Sequence, residues 1–320
     1  MPFELTILGS NSALPISNRY PTAQVLTIPG RFFLIDCGEG TQVQLRRNHI
    51  SLAKIDHILI SHTHGDHIFG LIGLISTMVL LGRKNELHIY SHSELQHFIR
   101  FQLDFLYHQE IPFRLVFHPL SYKSPQLIYQ DKKIAITSFP LKHRIATCGF
   151  LFREIPKLPN LRKDKLEEYK IPIRERQKIK EGAGFILPDG NEVPNSELVI
   201  PASNPCSYAF CSDTAYHEEI IDTIRGVDLL YHEATFAENN KTLAEQTFHS
   251  TAKQAATIAL KAGVKNLIIG HFSSRYKTSS VLQSEAREIF PETYAVEDGD
   301  VFRINNSVIS FSRSEKTKMF

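Results

Sequence analysis

The segment Ile60-Ser61-His62-Thr63-His64-Gly65-Asp66-His67 constrains this chain more than any other stretch. It places three imidazoles and a carboxylate within six residues, directly after the apolar run Ile58-Leu59-Ile60. A short continuous apolar run of this kind reads as a strand buried on both faces. A tight loop at the strand end turns such side chains inward together, and Gly65 permits the backbone to make that turn. Histidine nitrogens and carboxylate oxygens are the ligand set of zinc or manganese in a hydrolytic centre. Four ligands are too many for one catalytic ion that must keep an open position, so the motif predicts two. A lone histidine is most often a satisfied core or surface residue; the HxHxDH pattern as a whole is far more specific.

A two-metal site needs further ligands, and the rhythm of strands says where they lie. His143 follows the strand-like run Ile134–Phe139, Asp213 ends Ser207–Cys211, and His271 follows Leu267–Ile269 after Gly270. Each sits just past an apolar strand, as His62 does, so neighbouring strands would bring all of them to one edge. Taken singly, a loop-capping Asp or an exposed His explains each as well.

Elsewhere, Phe3–Leu8 alternates as a strand, Gln24–Ile28 pairs with Phe32–Asp36 across Pro29-Gly30, and Leu87–Tyr90 and Leu229–Tyr231 are strand-like. Helices are expected over Ile68–Gly82, Ser93–Tyr107 and Thr251–Ala262, the last stopped by Gly263. Alternating strands and helices over 320 residues define an α/β or α+β layered domain. The 22% of charged residues and 42% of hydrophobic ones exclude a disordered or collagen-like chain. A net charge of +2 does not mark a nucleic-acid binder by itself. The four cysteines, Cys37, Cys148, Cys206 and Cys211, form no CxxC pair and read as reduced thiols. With no visible secretory signal and no apolar run of spanning length, the expectation is a cytoplasmic protein with no membrane contact.

One stretch breaks the pattern. From Arg153 to about Ser196 the chain is charged, punctuated by proline and poor in core residues, with a hairpin signal at Asp189-Gly190. Between Lys157 and Lys180 nine Lys/Arg face four Asp/Glu. Residues 153–196 therefore read as an insertion in a single domain spanning 1–320. Either it is a solvated excursion or it contacts a polyanion.

Further motifs complete the picture: Leu34-Ile35-Asp36-Cys37-Gly38-Glu39-Gly40, Pro140-Leu141-Lys142-His143-Arg144, Cys211-Ser212-Asp213-Thr214, His232-Glu233-Ala234-Thr235, His249-Ser250-Thr251 and Gly270-His271-Phe272-Ser273-Ser274-Arg275-Tyr276. With them, almost the whole chain resembles the metallo-β-lactamase superfamily and, within it, the ribonuclease Z family of tRNA 3′-processing endonucleases. HxHxDH alone defines only the superfamily; the HEAT and HST pieces are more specific. The resemblance implies a four-layer αββα sandwich with an inserted flexible arm. It implies two zinc ions per subunit, with manganese a possible substitute. One would take His62, His64 and His143, the other Asp66, His67 and His271, with Asp213 bridging. Asp66 would also accept a hydrogen bond from the attacking hydroxide. Asp36 would hold a ligand imidazole, although a turn-forming Asp before Gly38 explains it equally well. His249 is nominated as general acid with Glu233 orienting it, the alternative being a capping-region histidine with no catalysis.

The resemblance also implies precursor tRNA as substrate, gripped at its elbow by the arm, and a homodimer. Arg19, Lys157, Arg162, Lys163, Lys165, Arg174, Arg176 and Lys178 are the expected RNA contacts. Two features depart from the family. Ile171-Pro172-Ile173-Arg174 stands where the arm's Gly-Pro element is usual, and Pro15-Ile16-Ser17-Asn18-Arg19-Tyr20 keeps only the Pro and Arg of PxKxRN. A small-molecule hydrolase on the same scaffold, or a non-catalytic RNA-binding subunit, are the competing readings. His49, His57, His88, His92, His97, His108, His118 and His217 read as structural or exposed, and His232 stays unassigned.

Overall fold

The computed structural model describes residues 3–14, 16–17, 19–108, 110–305 and 308–313. Two compact units divide the chain: Met1–Arg153 with Cys206–Phe320, and Glu154–Pro205.

The first unit is built on two large sheets. One runs Val308–Ser312, Val301–Asn305, Phe3–Gly9, Ala23–Ile28, Arg31–Ile35, His57–Leu59, Leu87–Ser91, Leu115–Pro119 in spatial order. Its pairings are antiparallel up to Arg31–Ile35 and parallel beyond. The other runs Thr293–Ala295, Asn266–Gly270, Leu229–Glu233, Ser207–Cys211, Thr147–Glu154, Ile134–Leu141, Gln126–Gln130. Its first four strands are parallel. Phe3, Leu5, Ile7, Phe33 and Ile35 of one sheet meet Phe150, Phe152, Tyr208, Phe210 and Tyr231 of the other in the central core. The outer face of the first sheet packs Leu34, Ile58 and Ile89 against Leu45, Leu71, Leu74, Ile75, Leu95 and Ile99. These come from the helices Thr41–Arg47, Gly70–Leu80 and Ser93–Tyr107. On the outer face of the second sheet, the helices Ala252–Ala262 and Ser280–Arg287 cover Leu230, Leu267 and Ile269. The result is the αββα order of layers, each sheet buried on both faces.

The helix expected over Ile68–Gly82 starts earlier and is interrupted. A turn over Gly65–Ile68 leads through Phe69 into Gly70–Leu80. Gly70 donates its N–H to the Cys37 carbonyl at 2.9 Å, and a Cβ there would lie 2.1 Å from the Gly38 oxygen. This close approach, not a turn dihedral, requires the glycine. Gly65 takes no positive φ, and a Cβ there would meet only the ring of the exposed Phe69, a side chain that can turn away.

Glu154–Pro205 has its own small core of Ile171, Ile179, Val193 and Leu198, flanked by Leu161, Leu166, Tyr169 and Phe185. Two short helices, Lys163–Glu168 and Ile173–Lys180, and two two-stranded ribbons surround it. The hairpin at Asp189-Gly190 pairs Phe185–Ile186 with Glu192–Val193. A solvated excursion poor in core residues is therefore corrected to a packed unit; its apolar residues are few but converge. The basic excess of Lys157–Lys180 does not extend to the whole unit. Glu154, Glu181, Asp189, Glu192 and Glu197, outside the basic window, bring the whole unit to nine acidic and nine basic residues.

Candidate metal centre

The ligand-type side chains come from strand ends. His57–Leu59 runs into Ser61 and His62; Ile134–Leu141 leads to His143, Ser207–Cys211 to Asp213 and Asn266–Gly270 to His271. Asp36, Asp213 and His271 all take the left-handed backbone conformation, with φ of 56°, 56° and 58°. Non-glycine residues rarely adopt it, and such outliers gather at functional sites where surrounding structure enforces them.

Asp213 organises the centre. Its Oδ2 lies 3.7 Å from His62 Nε2 and 3.8 Å from His143 Nε2. Its Oδ1 lies 3.2 Å from His67 Nε2 and 3.1 Å from His271 Nε2. His64 Nδ1 joins the first group, 3.0 Å from His62 Nε2 and 3.3 Å from His143 Nε2. Asp66 Oδ2 joins the second, 3.5 Å from His67 Nε2 and 3.6 Å from His271 Nε2. Two donor sets thus stand side by side with one carboxylate between them. Within His62, His64, His143, Asp213, and within Asp66, His67, His271, the ligand atoms all lie inside 4.8 Å.

The opposite ring nitrogens fix how each imidazole is turned. His67 Nδ1 meets Asp36 Oδ2 at 2.8 Å, while Asp36 also accepts from the Ser61 N–H at 2.7 Å and its hydroxyl at 2.9 Å. His143 Nδ1 meets the Phe248 carbonyl at 2.9 Å, and His62 Nδ1 the Ser61 hydroxyl at 3.0 Å. His271 Nδ1 lies 2.9 Å from Thr235 Oγ1, which donates to Glu233 Oε2 at 2.7 Å. The buried Nε2 atoms of His67 and His271 have no hydrogen-bond partner. A buried imidazole nitrogen left without a hydrogen-bond partner while the opposite nitrogen is engaged is the arrangement of a metal-binding histidine.

Electrostatics point the same way. Burial alone would raise Asp66 and Asp213, yet both are held well below the usual carboxylate range, by His67 for Asp66 and by His271, His67 and His62 for Asp213. His67 goes well above the usual value against its own burial, because Asp213, Asp66 and Asp36 surround it. His62, His64 and His143 are lowered by burial and stay neutral. Buried carboxylates answered by a proton on His67, beside the neutral imidazoles of His62, His64 and His143, make a site suited to a cation. The donor set therefore fits a divalent metal.

His249 borders this centre, its ring 5.4 Å from His271 and 5.0 Å from His143. Its Nδ1 meets Glu233 Oε1 at 2.8 Å. Burial opposes its protonated form, but the Glu233 charge and hydrogen bond raise the imidazole to about 9. Thr251 caps the following helix with a capping box to Gln254, so His249 stands just outside the helix start. A cleft of about 370 Å³ opens over these groups, lined also by Ala13, Arg144, Phe236 and Arg275.

The remaining expected contacts are dispersed. Arg19 sits over the Phe272 ring and donates to the Lys277 carbonyl at 3.2 Å. Pro15 and Asn18 of the same loop lie outside the described residues. Lys157, Arg162, Lys165 and Lys178 pair with Glu154, Asp164, Glu168 and Glu175, and Arg174 approaches Glu175 at 3.6 Å. Lys163 and Arg176 have no ion pair within 4 Å among the described residues. His232 is buried, its Nδ1 on the Glu233 carbonyl at 2.7 Å. Sequence reasoning gave no role to Ser61 and Thr235. Thr235 belonged to the quoted HEAT motif, but its bond to His271 reaches a residue 36 positions away.

Two β layers between helices, with clustered histidines and aspartates at the strand ends, define a metallohydrolase of the metallo-β-lactamase fold. The metallo-β-lactamase-fold protein YhfI of Bacillus subtilis superimposes with a TM-score of 0.67 over 95% of this chain and all of that one, at 19% identity. A family model described as Anti-Pycsar protein Apyc1 matches residues 3–154. Ribonuclease Z of Bacteroides thetaiotaomicron is 47% identical over 304 residues, 95% of this chain and 96% of that one. Human tRNase Z, short form, superimposes with a TM-score of 0.67 at 26% identity, covering 93% of this chain and 98% of that one. The chain belongs to the ribonuclease Z family of tRNA 3′-processing endoribonucleases.

Proposed function

We propose that this chain removes the 3′ trailer from precursor tRNA with two zinc ions. In this reading one ion is held by His62, His64 and His143 and the other by Asp66, His67 and His271, with Asp213 between them. The observation that carries it is the division of Asp213, one oxygen toward each imidazole group. Manganese suits the same nitrogen and oxygen donors. When bound, such a pair of ions supplies Lewis acidity and lowers the pKa of water in the site.

The side chains supply the rest. Asp66, its Oδ2 also accepting the Ala13 N–H at 2.8 Å, is oriented to accept a hydrogen bond from the attacking water. His249, kept protonated by Glu233, delivers a proton to the departing 3′-oxygen, so the tRNA keeps a 3′-hydroxyl and the trailer a 5′-phosphate. Glu233 is itself fixed by the Thr214 N–H at 2.9 Å and the Thr235 N–H at 3.1 Å. Asp36 holds His67. The Glu154–Pro205 unit acts as an RNA-binding arm through Lys157, Arg162, Lys163, Lys165, Arg174, Arg176 and Lys178, reading backbone shape rather than sequence. The reading also includes a homodimer working in the cytoplasm; among the described residues no helix is long and apolar enough to cross a membrane.

The test is a 5′-labelled precursor with a short trailer and no encoded CCA, incubated with and without chelator and mapped at nucleotide resolution. A single metal-dependent cut near the discriminator base, absent in Asp66→Ala, is expected. Intact precursor in the presence of metal-loaded protein would overturn the reading.

A further inference from the structure

We infer that Asp298 is a positioning residue for the metal centre: it clamps both ends of the Ser10–Tyr20 loop and, through that loop, holds Asp66 and His271 in place. The inference rests on the reading of those two residues as metal ligands.

Asp298 lies in the turn before the strand Val301–Asn305. Its Oδ1 accepts the Ser10 hydroxyl at 2.7 Å, and its Oδ2 accepts the Tyr20 N–H at 2.7 Å and Gln44 Nε2 at 3.4 Å. One carboxylate thereby spans the neck of the loop, which the Asn11 N–H to Tyr20 carbonyl bond closes at 3.0 Å. The turn is anchored in its own right, Gly299 donating to the Ile7 carbonyl at 2.7 Å. Gly9 fits the neck because a Cβ there would lie 1.8 Å from the Pro21 oxygen.

Two contacts leave the loop toward the centre. Phe272, next to His271, donates to the Ser10 carbonyl at 3.0 Å and accepts the Ser12 N–H at 3.0 Å. Ala13 donates its N–H to Asp66 Oδ2 at 2.8 Å. Both Ala13 and His271 hold a positive φ, 44° and 58°, which a non-glycine residue keeps only when its surroundings impose it. The clamp is what imposes it. Asp298 itself makes no hydrogen bond to any of the proposed ligands.

The carboxylate is also costly where it stands. Desolvation raises it to about 6, against the hydrogen bonds from Ser10 and Tyr20 and the charge of Arg19. A folded state that disfavours the charged form gains nothing in stability from keeping it ionised at pH 7. What the ionised carboxylate does there is accept both donors at once. Asparagine keeps the shape but offers one acceptor oxygen and turns an amide NH2 against the other donor.

The test compares Asp298→Asn and Asp298→Ala with Asp300→Asn, a buried carboxylate of the same turn that faces Glu297 N–H and Arg313 instead of the loop. Zinc retention against a chromophoric chelator, kcat and KM on the tRNA precursor, and the melting temperature are measured for each. Both Asp298 variants are expected to hold zinc about 10-fold or more weakly and to lose kcat in step, with KM little changed. Asp298→Asn should lose zinc retention and kcat out of proportion to any fall in melting temperature, and Asp300→Asn should keep wild-type zinc retention and kcat. Unchanged zinc retention in both Asp298 variants, or losses that follow melting temperature across all three, would overturn the inference. Wild-type protein that binds zinc yet cuts no precursor would sink the nuclease reading alone, since the zinc and melting measurements still judge the clamp.

Discussion

The metal centre and the Glu154–Pro205 unit use charge in opposite ways. At the centre, Asp36, Asp213, Glu233, His62, His67 and His271 are buried, and each is tied to partners far away in sequence. In the other unit, the pairs Arg162–Asp164, Lys165–Glu168 and Lys178–Glu175 are two or three residues apart and lie at the surface. Water screens the second kind, and the pairs exchange readily for other partners such as phosphates. It cannot reach the first kind, where removing one member strands another without solvation. One region holds its charges fixed by burial; the other leaves them exposed and exchangeable.

This contrast is broken most directly at Asp213. Asp213→Ala should lower kcat by about 10³-fold or more, since ~4 kcal/mol of transition-state stabilisation corresponds to that factor. Metal analysis of the purified variant should show a loss of bound ion, because both donor sets lose an oxygen. If Asp213→Ala keeps its full metal content and activity, the centre does not depend on that carboxylate.

His249 gives an intermediate effect. His249→Gln should cost ~10²- to 10⁴-fold in kcat, the usual scale for a general acid, with metal content unchanged. A general acid acts only when protonated, so wild-type activity should persist below about 9 and fall above it. Glu233→Gln removes the charge that raises His249 and should move that alkaline limb to lower pH. Stability follows the same sign. The contribution of the His249–Glu233 pair is complete below the ordinary value of 6.5 and is lost as pH rises through about 9. A limb that stays put in Glu233→Gln, read from a pH–rate profile, would remove Glu233 from this role.

The smallest effect belongs to the other unit. Lys163 and Lys170 are exposed and have no ion pair within 4 Å among the described residues. Replacing both with glutamine should raise KM for precursor tRNA several-fold and flatten its salt dependence by a slope of about 1 to 2. Neither kcat nor the melting temperature should move. Equal KM values at every salt concentration would show that these lysines do not meet RNA.

Much of this was legible in the sequence because it is local. His62 to His67 announce themselves by spacing, and His143, Asp213 and His271 by following apolar strands at once. What escaped is non-local or half-exposed. Leu115–Pro119 and Gln126–Gln130 are partly exposed and alternate weakly, so neither stood out as a strand. Val301–Asn305 becomes one by pairing with Phe3–Gly9, almost a full chain length away. Thr235 and Ser61 look like ordinary polar loop residues until the imidazoles they orient fold against them. In Glu154–Pro205 four isolated apolar residues gave no periodic signal, yet they meet in a core.

The scattering of the strand ends also sets a clock on synthesis. About 200 residues separate His62 from His271, and a ribosome adds roughly 5 to 20 residues each second. For ten seconds or more, the growing chain carries the first histidines without the last. Because Asn266–Gly270 must dock beside Leu229–Glu233 before His271 arrives, no earlier fragment can hold the complete centre. A nuclease assembled this way cannot cut RNA until His271 has been made and its strand has docked.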